Sequence, residues 1–225
     1  MILLGSVVNG GAVVVGGLVG MFVGKLLPER LRTSVMAALS LMTIGIAVPG
    51  LLKSNNALIP IISMVVGTLI GGLLDIDSAV NKLGEKLQKR FSGSRVTEGF
   101  VTGSLVFAVG ALAVMGPLES GLQHQHSLLF SKSVIDGVAS IVFASTMGLG
   151  VALSGITVFV VEGSIALLAS VVAPYLGEAV VNEITFVGSL LIVGISLNLL
   201  GATKLRILNM VPAILLPVLL CRFMG

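Results

Sequence analysis

Four polar side chains stand inside otherwise apolar runs of this sequence, and they are where chemistry could be done. Glu162 lies in "TVFVVEGSIALLA" (157–169), with no charged residue between it and Asp136 on one side or Glu178 on the other. A charged group at mid-bilayer costs ~2.5–3.5 kcal/mol on insertion scales, so a carboxylate there is a functional candidate. It could take up a proton or a cation; a neutral acid or a buried interhelical hydrogen bond is the plainer alternative. Asp136 follows Lys132 by one helical turn and shares a broad face with Ser133, Gly137, Ser140, Ala144 and Gly148. It is either a local i,i+4 ion pair or an acid that binds substrate, with the Ser140 hydroxyl beside it. Asn9 in "VVNGGA" and Asn198 in "SLNLLG" each offer donors and an acceptor, fit to bind a polar solute or to bridge two helices.

Other chemistries find little to work with. His124 and His126 form only a two-residue cluster with no convincing third ligand, so no metal site is expected. There is no phosphate-binding glycine loop, no zinc-protease motif and no Ser–His pair within an apolar run. The chain is therefore expected to be no enzyme and to need no cofactor. Basic residues lack interleaved aromatics, so nucleic acid is not implied. The single cysteine, Cys221, cannot form an internal disulfide.

The elements that must position these groups are set by composition. Of 225 residues, 56% are hydrophobic and only 10% charged, with mean hydropathy +1.14; a soluble domain carries about 25% charged residues. This predicts an all-α integral membrane protein whose main partner is the lipid bilayer. The first run, "ILLGSVVNGGAVVVGG", has no basic leader and reads as a retained span. Eight candidate helices fall near 2–27, 35–52, 58–74, 99–118, 133–153, 156–176, 184–200 and 206–223, each about the 17–25 residues that a span demands. The weakest boundary is "LSGI" (153–156), which would set Glu162 about 10 Å below the cytoplasmic edge. Alternating the loops sends Lys25, Arg30, Arg32, Lys82, Lys86, Lys89, Arg90, Arg95, Lys204 and Arg206 to one side, and Lys53, Lys132 and Arg222 to the other. The richer side is cytoplasmic, so both termini should lie outside.

Three stretches resemble one another: "LSLMTIGIAVPGLLKS" from 39, "GSLVFAVGALAVMGPLES" from 103 and "GSLLIVGISLNLLGATK" from 188. They divide the chain into a three-helix unit (1–74), a cytoplasmic amphipathic helix and linker (75–98), a central helical hairpin (99–155) and a second three-helix unit (156–225). An odd number of helices separates the two units, so they would be inverted repeats, a recurrent transporter design. Gly16, Gly20 and Gly24, and Gly67 with Gly71, follow the small-xxx-small spacing of close helix contacts, within a subunit or in a homodimer.

The motifs "GSVVN" (5–9), "FVTGSLVFAVGALAVMGPLESGL" (100–122), "KSVIDGVASIVFASTMGLGVALSG" (132–155) and "GISLNLLGATKLRILNMVPAIL" (194–215) resemble an uncharacterised family of bacterial multi-span membrane proteins, the one containing the YqgA and YdfK proteins. There the first motif is more often Gly-Thr-x-x-Asn and position 162 more often glutamine, so a titrating carboxylate is not a requirement of the family. The resemblance implies a location, the bacterial inner membrane, and an architecture, but no activity. The polar residues point to a secondary transporter or channel for an ion or small polar solute, with Glu162, Asp136, Asn9, Asn198 and Ser140 at a site between the repeats. The alternative is a non-transporting scaffold or sensor acting through the 75–98 helix.

Overall fold

The computed structural model describes residues 1–26, 28–80, 82 and 95–224, and every regular element among them is helical. The helices are α1 (Leu4–Leu26), α2 (Glu29–Leu51), α3 (Leu58–Leu74), α4 (Val96–Ala108), α5 (Ala111–Gln123), α6 (Ser127–Met147), α7 (Leu149–Leu167), α8 (Glu178–Leu199) and α9 (Leu216–Met224). A 3-10 segment, Ile207–Ile214, leads into α9, and two single turns, Ala169–Val172 and Ala173–Tyr175, lead from α7 to α8. Of the amphipathic helix expected over 75–98, residues 76–80 are helical; most of the rest lies outside the described residues.

Five helices are long and apolar enough to cross a membrane, and up to seven spans result if each of two bent pairs counts as one. The bent pairs correct two expectations of a single helix. The 99–118 run breaks between α4 and α5 with a 60° bend, because Val109 is extended and Gly110 has φ +125°, a conformation open to glycine and strained for other residues. The 206–223 run winds as 3-10 through Pro212, which has no N–H to give, and bends 44° into α9. The remaining segment, α3, has 17 residues, the lower limit for a span.

The boundary expected at 153–156 is also corrected. Helix α7 runs straight through it, and the turn is at Gly148, with φ +70°. Ser154 back-bonds to the Val151 carbonyl and Gly155 lies against the α1 backbone, so both small residues serve the helix and its packing. Glu162 therefore sits roughly 20 Å along α7 from that turn at 1.5 Å per residue, near the opposite end of the helix.

Polarity is distributed as lipid requires. Leu41 and Met42 of α2, Ile61, Val65 and Leu69 of α3, and Val134, Ile135 and Val138 of α6 are exposed. Ser6, Asn9, Ser40, Thr43, Ser63 and Glu162 are fully buried. Backbone hydrogen bonds closed within helices allow such an apolar exterior to meet hydrocarbon. The chain is a membrane protein, all-helical among the described residues.

Glycines set the helix contacts. On α1, a methyl at Gly16 would overlap the Gly137 carbonyl and Ser140 hydroxyl, and one at Gly20 or Gly24 would overlap the Ile141 or Ser145 carbonyl. These contacts advance together, so α1 and α6 run parallel. Gly10 meets the Gly155 carbonyl, Gly155 meets the Gly10 carbonyl, and Gly17 meets Ala152, so α1 and α7 are antiparallel. Gly67 and Gly71 of α3 lie on Ala213 and Asn209, again antiparallel. Both glycine faces are occupied within the chain and give no argument for a second copy. The apolar cluster beneath the site joins Val13, Phe107, Phe143, Met147, Val151 and Val158, with Phe107 and Phe143 edge to face at 6.0 Å.

Candidate functional site

The Gly10–Gly155 contact brings two backbones close enough for short side chains to meet across α1 and α7. Asn9 Nδ2 donates to Glu162 Oε1 at 2.8 Å and to Asp136 Oδ2 of α6 at 3.1 Å. Lys132, one turn before Asp136, pairs with Asp136 Oδ2 and stands 3.3 Å from Glu162 Oε1. Its third contact is the Phe107 carbonyl, at 2.6 Å. That carbonyl is in the last turn of α4, where the break before α5 leaves it available, and the negative end of the half-helix dipole favours a cation there.

This cluster is sealed from solvent. Asn9 and Glu162 have no exposed surface, and Lys132 and Asp136 are 6% and 7% exposed. It contains two carboxylates and one ammonium, so with all three ionised it carries one uncompensated negative charge. Asn9 Oδ1, Glu162 Oε2 and Ser6 Oγ are buried with no hydrogen-bond partner. Ser6 lies one turn before Asn9 on the same buried face of α1, and helical side chains tilt toward the N-terminus.

Three of the expected site residues thus converge: Asn9, Asp136 and Glu162. Two do not. Ser140 donates to the Gly137 carbonyl at 2.8 Å and lies against Gly16, one turn from Asp136. Its hydroxyl is satisfied within its own helix. Asn198 stands elsewhere in the fold. At the end of α8 it donates to the Leu205 carbonyl at 2.8 Å and accepts from Thr203 Oγ1 and Leu205 N. It fastens the turn after α8 and borders a separate cavity of about 470 Å³ with Arg95, Glu98 and Thr102. His126 pairs with Ser120 at 2.7 Å, and Ser120 donates to the Ile2 carbonyl.

Three buried polar groups escape the sequence pattern, two of them at the site and one away from it. The i,i+4 spacing marks Lys132 only as a local partner of Asp136, although it also reaches Glu162 and Phe107. Ser6 was read only as part of a motif. Glu183 fell just outside the segment expected to begin at 184, but it is buried in α8 and accepts from Ser54 Oγ and the Asn55 and Asn56 amides. It closes the α2–α3 turn. The sequence does carry one signal for the pair: Val7-Val8-Asn9-Gly10 and Val160-Val161-Glu162-Gly163 share a pattern, and its two polar members are the ones that bond.

A model of the family described as "Protein of unknown function (DUF554)" matches residues 4–222. The chain is 31% identical over 219 residues to "Uncharacterized membrane protein YdfK" of Bacillus subtilis (strain 168), across 96% of this chain and 94% of that protein. It is 26% identical over 220 residues to "Uncharacterized protein YqgA" of Escherichia coli (strain K12), across 95% and 94% respectively. No solved structure matches it significantly.

Proposed function

We propose that this chain, which belongs to the DUF554 family of proteins of unknown function, is a secondary transporter or channel of the bacterial inner membrane for an ion or small polar solute. One observation carries the reading: a buried polar cluster, one cation short of balance, lies where α1 meets α7. Ionisable groups inside a membrane bundle are expensive and mark ion or substrate pathways. A buried ion pair is weak ground for stability, so packing alone does not call for this one.

The architecture supports an inverted repeat with the site at its interface. Helix α1 contacts α7, α2 contacts α8, and α3 contacts the segment 207–214, each the pairing of a first-unit element with its counterpart. In the first unit the second and third elements start at 29 and 58; in the second they start at 178 and 207, the same spacing. Asn9 and Glu162, in matching four-residue patterns, meet at that interface. The break between α4 and α5 brings a free carbonyl to the cluster, as discontinuous helices do in transporters. Lys132 lies inside the bundle instead of in an outer loop, so the outer side keeps only Lys53 and Arg222. That strengthens the orientation with both termini outside.

The test is flux through purified protein in liposomes over a panel of ions and small metabolites. Flux should exceed that of empty liposomes, and Glu162→Gln should alter it. Asn198→Ala should leave transport of correctly folded protein nearly unchanged, because Asn198 holds a turn. Flux equal to that of empty liposomes throughout the panel overturns the reading.

A further inference from the structure

We infer that the occupant of this site is a proton, carried on Glu162 Oε2 and donated as a hydrogen bond to Asn9 Oδ1. The inference deepens the transport reading of the same site and makes the movement proton-coupled. The orientation of Asn9 is fixed: both hydrogens of Nδ2 are given to carboxylate oxygens. A flipped amide would set its own oxygen against them. Oδ1 is therefore the free end of the amide, and it lacks a donor. On Glu162, both Asn9 and Lys132 lie on Oε1, which leaves Oε2 as the second orphan.

An amide and a carboxylic acid form a two-rung planar pair, N–H to carbonyl and O–H to carbonyl. One rung is present at 2.8 Å. A proton on Oε2 supplies the other and gives a partner to both orphans at once. It also brings two carboxyls and one ammonium to neutrality. On uptake one O–H bond of a hydronium ion breaks, leaving water, as one O–H bond forms on Glu162 Oε2; release to water reverses the exchange.

A dehydrated metal cation fits less well. It would find Oδ1, Oε2 and Ser6 Oγ, whereas hard cations in proteins take about six oxygens, and the nearby Phe107 carbonyl already accepts from Lys132. The charged groups facing Glu162 are Lys132 and Asp136 of α6. Among the described residues, helices α1 and α4 present the neutral Ser6 hydroxyl, Asn9 amide and Phe107 carbonyl, and Glu119 of α5 accepts from Ser127.

The experiment is infrared spectroscopy of the purified full-length protein, with hydrogen–deuterium exchange, and needs no flux. At neutral pH the wild type should show a buried carboxylic-acid carbonyl band that Glu162→Gln removes. Asp136→Asn should remove it too, because one ammonium then balances one carboxylate and Glu162 ionises. Glu162→Gln should melt no lower than the wild type, since glutamine reproduces both rungs of the pair. Absence of the band, or its survival in Glu162→Gln, overturns the inference. So does its absence together with a melting temperature raised by sodium over choline, which would put a metal cation there. A band without flux would refute transport and leave the proton in place; flux without a band would do the reverse.

Discussion

Lys132 has three hydrogens and three acceptors: Asp136, Glu162 and the Phe107 carbonyl. Removing it leaves two buried acids facing each other with no cation. Breaking a buried ion pair on one side costs about 3–5 kcal/mol, whereas replacing every partner is often near neutral. Lys132→Met should therefore lower the melting temperature sharply. The triple change Lys132→Met, Asp136→Asn, Glu162→Gln should recover most of it, read by thermal unfolding in detergent. A triple variant as weak as the single one would mean that the loss does not come from the acids left without their cation. The acids and Asn9 were legible in the sequence because polar side chains are rare in apolar runs. Lys132 was harder to read, since an i,i+4 neighbour explains Asp136 locally, and nothing local says that α7 lies within reach.

At the scale of the helix, glycine separates packing from propensity. Gly20 sits directly on the Ile141 carbonyl, whereas Gly11 has open space around it. Gly20→Val should cost several kcal/mol, within the range of severe overpacking. Gly11→Ala should be neutral or stabilise by up to about 1 kcal/mol through helix propensity. Comparing the two melting temperatures checks that α1 is seated as described. Gly110→Ala is expected to cost about 1–3 kcal/mol, since φ +125° is a region almost reserved for glycine. It should also change flux, because the α4 break delivers the carbonyl to Lys132. The helical segments were legible from hydropathy and length. The breaks were not: "LVFAVGALA" reads as continuous apolar sequence, and only the backbone at Val109 and Gly110 shows the interruption. Ser154–Gly155 erred in the other direction, a turn signal that α7 absorbs by packing on α1.

For the whole molecule, the orientation is the claim that can be checked in cells. A periplasm-dependent reporter fused after Gly225 should be active and a cytoplasm-dependent one inactive; the opposite pattern would invert every assignment of side. Positive-charge counting made this expectation legible from sequence, and the reporters decide it. The tertiary pairing of α1 with α6 and α7 was not, because those contacts join residues 127 and 153 positions apart, beyond any local periodicity. That separation bears on how the protein is made. The first helix leaves the ribosome with Ser6 and Asn9 on one flank, long before the segments that bond Asn9 exist. At about 5–20 residues per second, roughly eight to thirty seconds pass before Glu162 is synthesised. During that interval a carboxamide must wait in or beside the membrane without its eventual mates. Biogenesis of this protein therefore needs a holding place for its opening segment, whether the insertion machinery itself or a shallow, water-touching lodging at the bilayer surface. A nascent chain halted before α6 should remain crosslinkable there through position 9.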